Sequence, residues 1–133
     1  MKKLISTPNA PTPQGPYAQA VEAGGLLFVS GQLPLDPKTG QIVGETIEDQ
    51  AKTALMNLTA IVEAAGLGLE DVVQVRVYLA DLGEAPKFNE AYGHFFFCQG
   101  IPPARELIGN VGIPKGARLE VSAVCAKKQA EKG

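Results

Sequence analysis

Between Thr46 and Leu79 the spacing of the apolar residues changes once, and that change constrains the fold more than any other feature of the chain. Ile47, Ala51, Leu55, Leu58, Val62 and Ala65 recur every three or four residues, the stripe of a helix with one buried face. Thr46 with Asp49 resembles a capping box at its start. Gly66 terminates it, because glycine takes a left-handed conformation without a Cβ penalty. From Val72 the period becomes two: Val73, Val75, Val77 and Leu79 face one way, and Val72, Gln74, Arg76 and Tyr78 the other. A helix with a stripe to bury, followed directly by a strand with one apolar face, predicts helices laid on a sheet.

The remaining segments extend this plan. Asn9 to Pro16 is rich in proline and turn formers and reads as an extended loop. Tyr17 to Glu22 predicts a strand, turned at Gly24-Gly25 into a second strand, Leu26 to Ser30, that is apolar on both faces. Pro34 to Gly40 is a run of turns. A second helix is predicted from about Ala85 to Phe97, with Phe88, Ala91, Tyr92 and Phe95 inward. Pro102-Pro103 restarts extended chain through about Val111, and Ile113 to Gly116 turns it. Arg118 to Ala126 forms the last strand, with Leu119, Val121, Ala123 and Cys125 on one face and Arg118, Glu120, Ser122 and Val124 on the other. The order β-β-α-β-α-β-β is that of a two-layer α+β domain, one domain over residues 1–133, with both helices on one face of the sheet. The uncovered face carries Gln74, Arg76, Tyr78, Glu120 and Ser122 beside Leu26 and Phe28. It is too polar for a sealed core and too apolar for free solvent, which fits a subunit interface with pockets in it. A mean hydropathy of +0.04 points the same way.

Composition removes several function classes. Hydrophobic residues are 45% and charged residues 20% of the chain, which excludes a disordered chain. Twelve Lys and Arg against fourteen Asp and Glu leave a net charge of −2. The only basic cluster, Lys127-Lys128 with Lys132, is interrupted by Glu131, so a nucleic-acid partner is not expected. No apolar run approaches the roughly 18 residues of a membrane span, and Met1 to Pro8 lacks the apolar stretch of a secretion signal. Cys98 and Cys125 have no metal-ligand spacing and read as free thiols in a reducing cytoplasm. The single histidine, His94, has no acid or nucleophile beside it in sequence and reads as a surface or packing residue. Gly31, Gly40 and Gly44 do not make a phosphate-binding loop. Arg105 and Glu120 are more suggestive. A guanidinium grips a carboxylate through two parallel hydrogen bonds, and a glutamate can hold and polarise a water.

In order and spacing, a set of segments resembles the RidA/YjgF family of reactive-intermediate deaminases over about residues 3–127. They include Asn9-Ala10-Pro11, Gly15-Pro16-Tyr17-Ala18-Gln19-Ala20, Val29-Ser30-Gly31-Gln32 and Pro37-Lys38-Thr39-Gly40. Further on come Ala60 to Gly66, Val77 to Leu82, Phe88-Asn89-Glu90-Ala91-Tyr92, Pro103-Ala104-Arg105 and Pro114-Lys115-Gly116-Ala117 leading to Glu120. The resemblance implies a chorismate-mutase-like fold in a homotrimer, with sheets lining a central barrel and clefts between subunits. It implies hydrolysis of 2-imino acids, the tautomers of enamines such as 2-aminoacrylate, to a 2-keto acid and ammonia. That is the reaction of a 2-iminobutanoate/2-iminopropanoate deaminase, and it requires no cofactor. By the same resemblance Arg105 is the anchor for the substrate carboxylate and Glu120 positions water. Tyr17, Ser30 and Asn89 are pocket residues, and at Gly31 the backbone approaches the ligand.

The run Arg105-Glu106-Leu107 departs from the family pattern, in which small residues follow the arginine. By strand alternation Leu107 shares a side with Arg105 and either fills part of the pocket or forms its wall. Glu106 either folds back onto Arg105, competing with a substrate carboxylate, or projects away. The departure motivates an alternative, a trimer of the same fold that binds a small carboxylate or keto acid without turnover. RNA cleavage, a role sometimes attached to this family, is disfavoured by the charge.

Overall fold

The computed structural model describes residues 1–97 and 100–127. Cys98, Lys128, Glu131 and Lys132 lie outside that range. Six strands form one mixed sheet: β1 Lys3–Ile5, β2 Ala20–Ala23, β3 Leu26–Gln32, β4 Val72–Leu79, β5 Ala104–Ile108 and β6 Leu119–Ala126. Two helices, α1 Ile47–Ala64 and α2 Ala85–Phe96, join β3 to β4 and β4 to β5. Across the sheet the order is β1-β2-β3-β6-β4-β5. β6 runs antiparallel to both β3 and β4, which are therefore parallel to each other, and β5 is parallel to β4. Both helical crossovers step across the sheet in the same direction. Crossovers of one hand then place both helices on the same face, as the sequence predicts.

The helix ends follow local chemistry. Thr46 Oγ1 accepts the backbone N–H of Asp49 at 3.1 Å, satisfying one donor at the start of α1. Gly66 takes φ +79° just past its end, a value that favours glycine. Leu55, Leu58, Ile61 and Val62 of α1, with Phe88 and Phe96 of α2, are sealed against Leu27, Val75, Val77, Leu119 and Val121 of the sheet. Each such side chain contributes about 1.5–3 kcal/mol by leaving water. On β6 the alternation is as expected, with odd positions buried and even positions on the open face.

Four details differ from the sequence-based expectation. Lys3–Ile5 forms an edge strand paired with β2, which three residues are too few to announce. The strand expected from Tyr17 starts only at Ala20, because the side chain of Gln19 is turned into the preceding loop. Val73 is not inward: it is 46% exposed, while Val72 is buried. The pairing with β6 slips by one residue between Val72 and Gln74, a β-bulge that flips the parity before it. The extended segment after Pro103 ends as a strand at Ile108, and Asn110 turns the chain at φ +60°. Among the described residues no helix is long and apolar enough to cross a membrane.

Candidate functional site

The six candidate residues fall into two groups. The first is built around a second bulge. Val29 pairs with Ala123, but Gln32 pairs with Val121, so β3 carries one extra residue at Ser30-Gly31. The Ser30 amide donates to the Gln19 carbonyl at 2.9 Å, and its hydroxyl to the Ala18 carbonyl at 2.6 Å. Gly31 is thereby pressed towards Glu120: a Cβ there would lie 2.7 Å from Glu120 Cδ. Tyr17 is half-exposed, its hydroxyl accepts the Gln14 N–H at 3.2 Å, and it lines a shallow groove with Gly31 and Gln32. Glu120 sits opposite Tyr78 on the open face, and partial burial raises its carboxyl above the ordinary carboxylate value. Two residues earlier, Arg118 fixes the start of β6. Its Nε donates to the Glu45 carbonyl at 2.7 Å, and its Nη1 reaches the Glu84 carboxylate at 3.0 Å.

The second group lies at the far edge of the sheet. Arg105 pairs in register with the buried Val75, so it leaves β5 on the helix-covered side. Its Nη1 donates to Asn89 Oδ1 at 2.7 Å, and its Cζ lies 4.8 Å from the centre of the Tyr92 ring and 5.9 Å from that of Phe88. Leu107 shares that side and packs against the core as wall. Glu106 points to the opposite face and meets Arg76 at 3.5 Å. It projects away from Arg105. Within one chain, then, Asn89 meets Arg105, Gly31 lies against Glu120, and Tyr17 shares a groove with Gly31, the neighbour of Ser30. The two groups do not meet, because β4 separates β6 from β5 and the side chains of Arg105 and Glu120 leave the sheet on opposite faces.

Sequence reasoning missed two residues here. Gln19 is 4% exposed; its Nε2 donates to the carbonyls of Thr7, Ala10 and Pro11, and its Oε1 accepts the Thr7 N–H. A lone glutamine between small apolar residues was the available signal. Tyr92 stood on the predicted inner stripe of α2 and was read as core alone. A concavity of about 780 Å³ is bordered by Met56, Glu63, His94 and Phe95, and none of the six candidates lines it. Among the described residues, no group of three or more His, Cys, Asp or Glu could hold a metal ion.

The family model described as Endoribonuclease L-PSP, that of YjgF/RidA proteins, matches residues 7–127. The chain belongs to the RidA/YjgF family. A RutC family protein of Pyrococcus horikoshii is 46% identical over 128 residues, 96% of this chain and 100% of its own length. A Dermatophagoides farinae protein named 2-iminobutanoate/2-iminopropanoate deaminase is 39% identical over 123 residues, 92% of this chain and 94% of that one. Among solved structures, that of E. coli TdcF with bound serine has 38% identity and a TM-score of 0.89, covering 95% of this chain and 99% of that one. The RidA/YjgF family includes reactive-intermediate deaminases as well as non-catalytic members. The two helices on a mixed six-stranded sheet are the arrangement of Rid structures.

Proposed function

We propose that this chain hydrolyses 2-imino acids of the 2-aminoacrylate type to a 2-keto acid and ammonia. The observation that carries the reading is the state of Arg105. Its guanidinium is held by Asn89 and two aromatic rings rather than by Glu106, and among the described residues only one of its five N–H donors is engaged, which leaves four for a carboxylate. Arg105 and Glu120 are the proposed catalytic residues, and Tyr17, Ser30, Gly31 and Asn89 complete the pocket. Since the two groups leave opposite faces of one sheet, we place the site between protomers of a homotrimer. Arg105 and Asn89 come from one protomer, and Glu120, Gly31, Ser30 and Tyr17 from the next.

Arg105 holds the substrate carboxylate and thereby orients the adjacent imine carbon. Glu120 accepts a proton from water as its oxygen bonds to that carbon and the C=N π pair moves to nitrogen. The tetrahedral carbinolamine then collapses. Nitrogen takes up the proton carried by Glu120, the C–N bond breaks as the C=O bond forms, ammonia departs, and the hydroxyl proton passes to the freed Glu120 carboxylate and from there to solvent. A protonated imine is already an electrophile, so this scheme uses neither metal nor cofactor. A cytoplasmic setting accords with it.

The test couples the protein to a threonine or serine dehydratase and follows keto-acid release. Wild type accelerates release and Arg105→Ala does not; no acceleration, or an unaffected Arg105→Ala, rejects the reading. The binding-only alternative retains one motive, Leu107. Keto-acid binding by calorimetry without imine turnover would favour it. RNA cleavage has the net charge of −2 against it.

A further inference from the structure

We infer that Tyr92 is a positioning residue for Arg105, an aromatic platform that fixes the plane of the guanidinium and so sets how tightly a carboxylate is held. This rests on Arg105 being the carboxylate anchor proposed above.

Phe88, Tyr92 and Phe96 stand four residues apart on α2, one above another on its inner face. Their ring centres are 5.7 and 4.6 Å apart and the rings are tilted by 36° and 33°. All three are buried, so the ladder cannot reorient without disturbing the core. Arg105 lies over it, at 4.8 Å from the Tyr92 ring centre, inside the roughly 6 Å within which a guanidinium is attracted to a ring face.

Asn89, one turn away on the same helix, takes Nη1. The amide oxygen fixes one edge of the guanidinium, and the ring fixes its face. An arginine held this way has already given up the rotamer freedom that an unsupported side chain would lose on gripping a ligand. The Tyr92 hydroxyl does not explain the residue. It is the one buried side-chain polar atom among the described residues with no hydrogen-bond partner. What its neighbours contact is the ring. Burial raises the phenol above its ordinary value, with Arg105 opposing, and a neutral phenol leaves no ion pair to compete with a substrate for the arginine.

The test uses pyruvate as the probe, pyruvamide as the uncharged control, and the side-chain Nε–Hε NMR signal of Arg105. Tyr92→Leu is expected to weaken pyruvate binding about three- to thirty-fold and to raise KM more than it lowers kcat, with little effect on pyruvamide. Tyr92→Phe keeps the face and is expected to recover affinity to within about three-fold of wild type. In wild type the Arg105 signal is expected to be ring-shifted and slow to exchange, and in Tyr92→Leu to resemble free arginine. Pyruvate affinity unchanged in Tyr92→Leu, or equally damaged in Tyr92→Phe, overturns the inference. So does a wild-type Arg105 signal as mobile as free arginine, a measurement that needs no variant to fold. Arg105→Ala separates the two levels. If it alone abolishes pyruvate binding while Tyr92→Leu changes nothing, the anchor stands and the platform falls. If Arg105→Ala binds as wild type does, the anchor itself is wrong.

Discussion

At Gly31 an added Cβ would lie 2.7 Å from Glu120 Cδ and 2.9 Å from its Oε2, and the atoms in the way belong to the end of a flexible side chain. Gly31→Ala should therefore cost stability only modestly, about 1 kcal/mol or less, while displacing the carboxylate. We expect a folded protein with dehydratase-coupled activity reduced at least about ten-fold, read by a thermal melt beside the coupled assay. Glu120 itself carries a pH signature. Burial raises its folded-state pKa above the unfolded value. Its contribution to stability is then fully present below the ordinary carboxylate range and is lost as pH rises through the raised value, because the folded state disfavours the anion. Glu120→Gln has no such loss. Urea melts at pH 4 and pH 8 should show its stability relative to wild type improving at the higher pH; a constant difference would contradict the assignment.

Among the elements, the strap from Thr7 to Gln19 depends on one side chain. Gln19→Leu removes four hydrogen bonds and leaves buried carbonyls of Ala10 and Pro11 without that donor. A loss of about 2–4 kcal/mol is expected, with the Thr7 amide exchanging freely with solvent in hydrogen-exchange measurements. The elements themselves were largely legible beforehand. The change of period after Gly66 located α1 and β4, and Thr46 marked the start of α1. The alternation on β6 correctly put Glu120 on the uncovered face. The failures share one cause: register is a property of two strands, and a single strand's alternation does not contain it. Val73 was assigned inward by parity and faces out because β4 holds one residue more than β6 there. The same limit hid the bulge at Ser30-Gly31 and the insertion of β4 between β5 and β6. For the proposed site, the family resemblance named Arg105 and Glu120 but not Tyr92, since an aromatic on a buried stripe looks the same whether it packs a core or carries a cation.

Taken as a whole molecule, the sheet has one face sealed by helices and one that is not. Across the open side Leu4, Val21, Phe28 and Val124 lie in register, and Leu4 and Phe28 are well exposed. The proposed homotrimer covers this row, so Phe28→Glu should yield monomers by sedimentation velocity and leave the helix-side core intact by circular dichroism; a trimer that survives the substitution would argue for another interface. Mixing provides a stricter check. Neither Arg105→Ala nor Glu120→Gln chains should turn over imine alone, but refolded together in equal amounts they should recover about one quarter of wild-type activity, since a random pairing of neighbours joins two intact halves that often.

The separation of Arg105 and Glu120 by the thickness of their own sheet carries one more consequence. Under the proposed mechanism a solitary copy holds both halves of the chemistry pointed away from each other, so turnover becomes a collective property. Specific activity should then fall on dilution even while every molecule stays folded, and scarcity alone would silence the proposed deaminase.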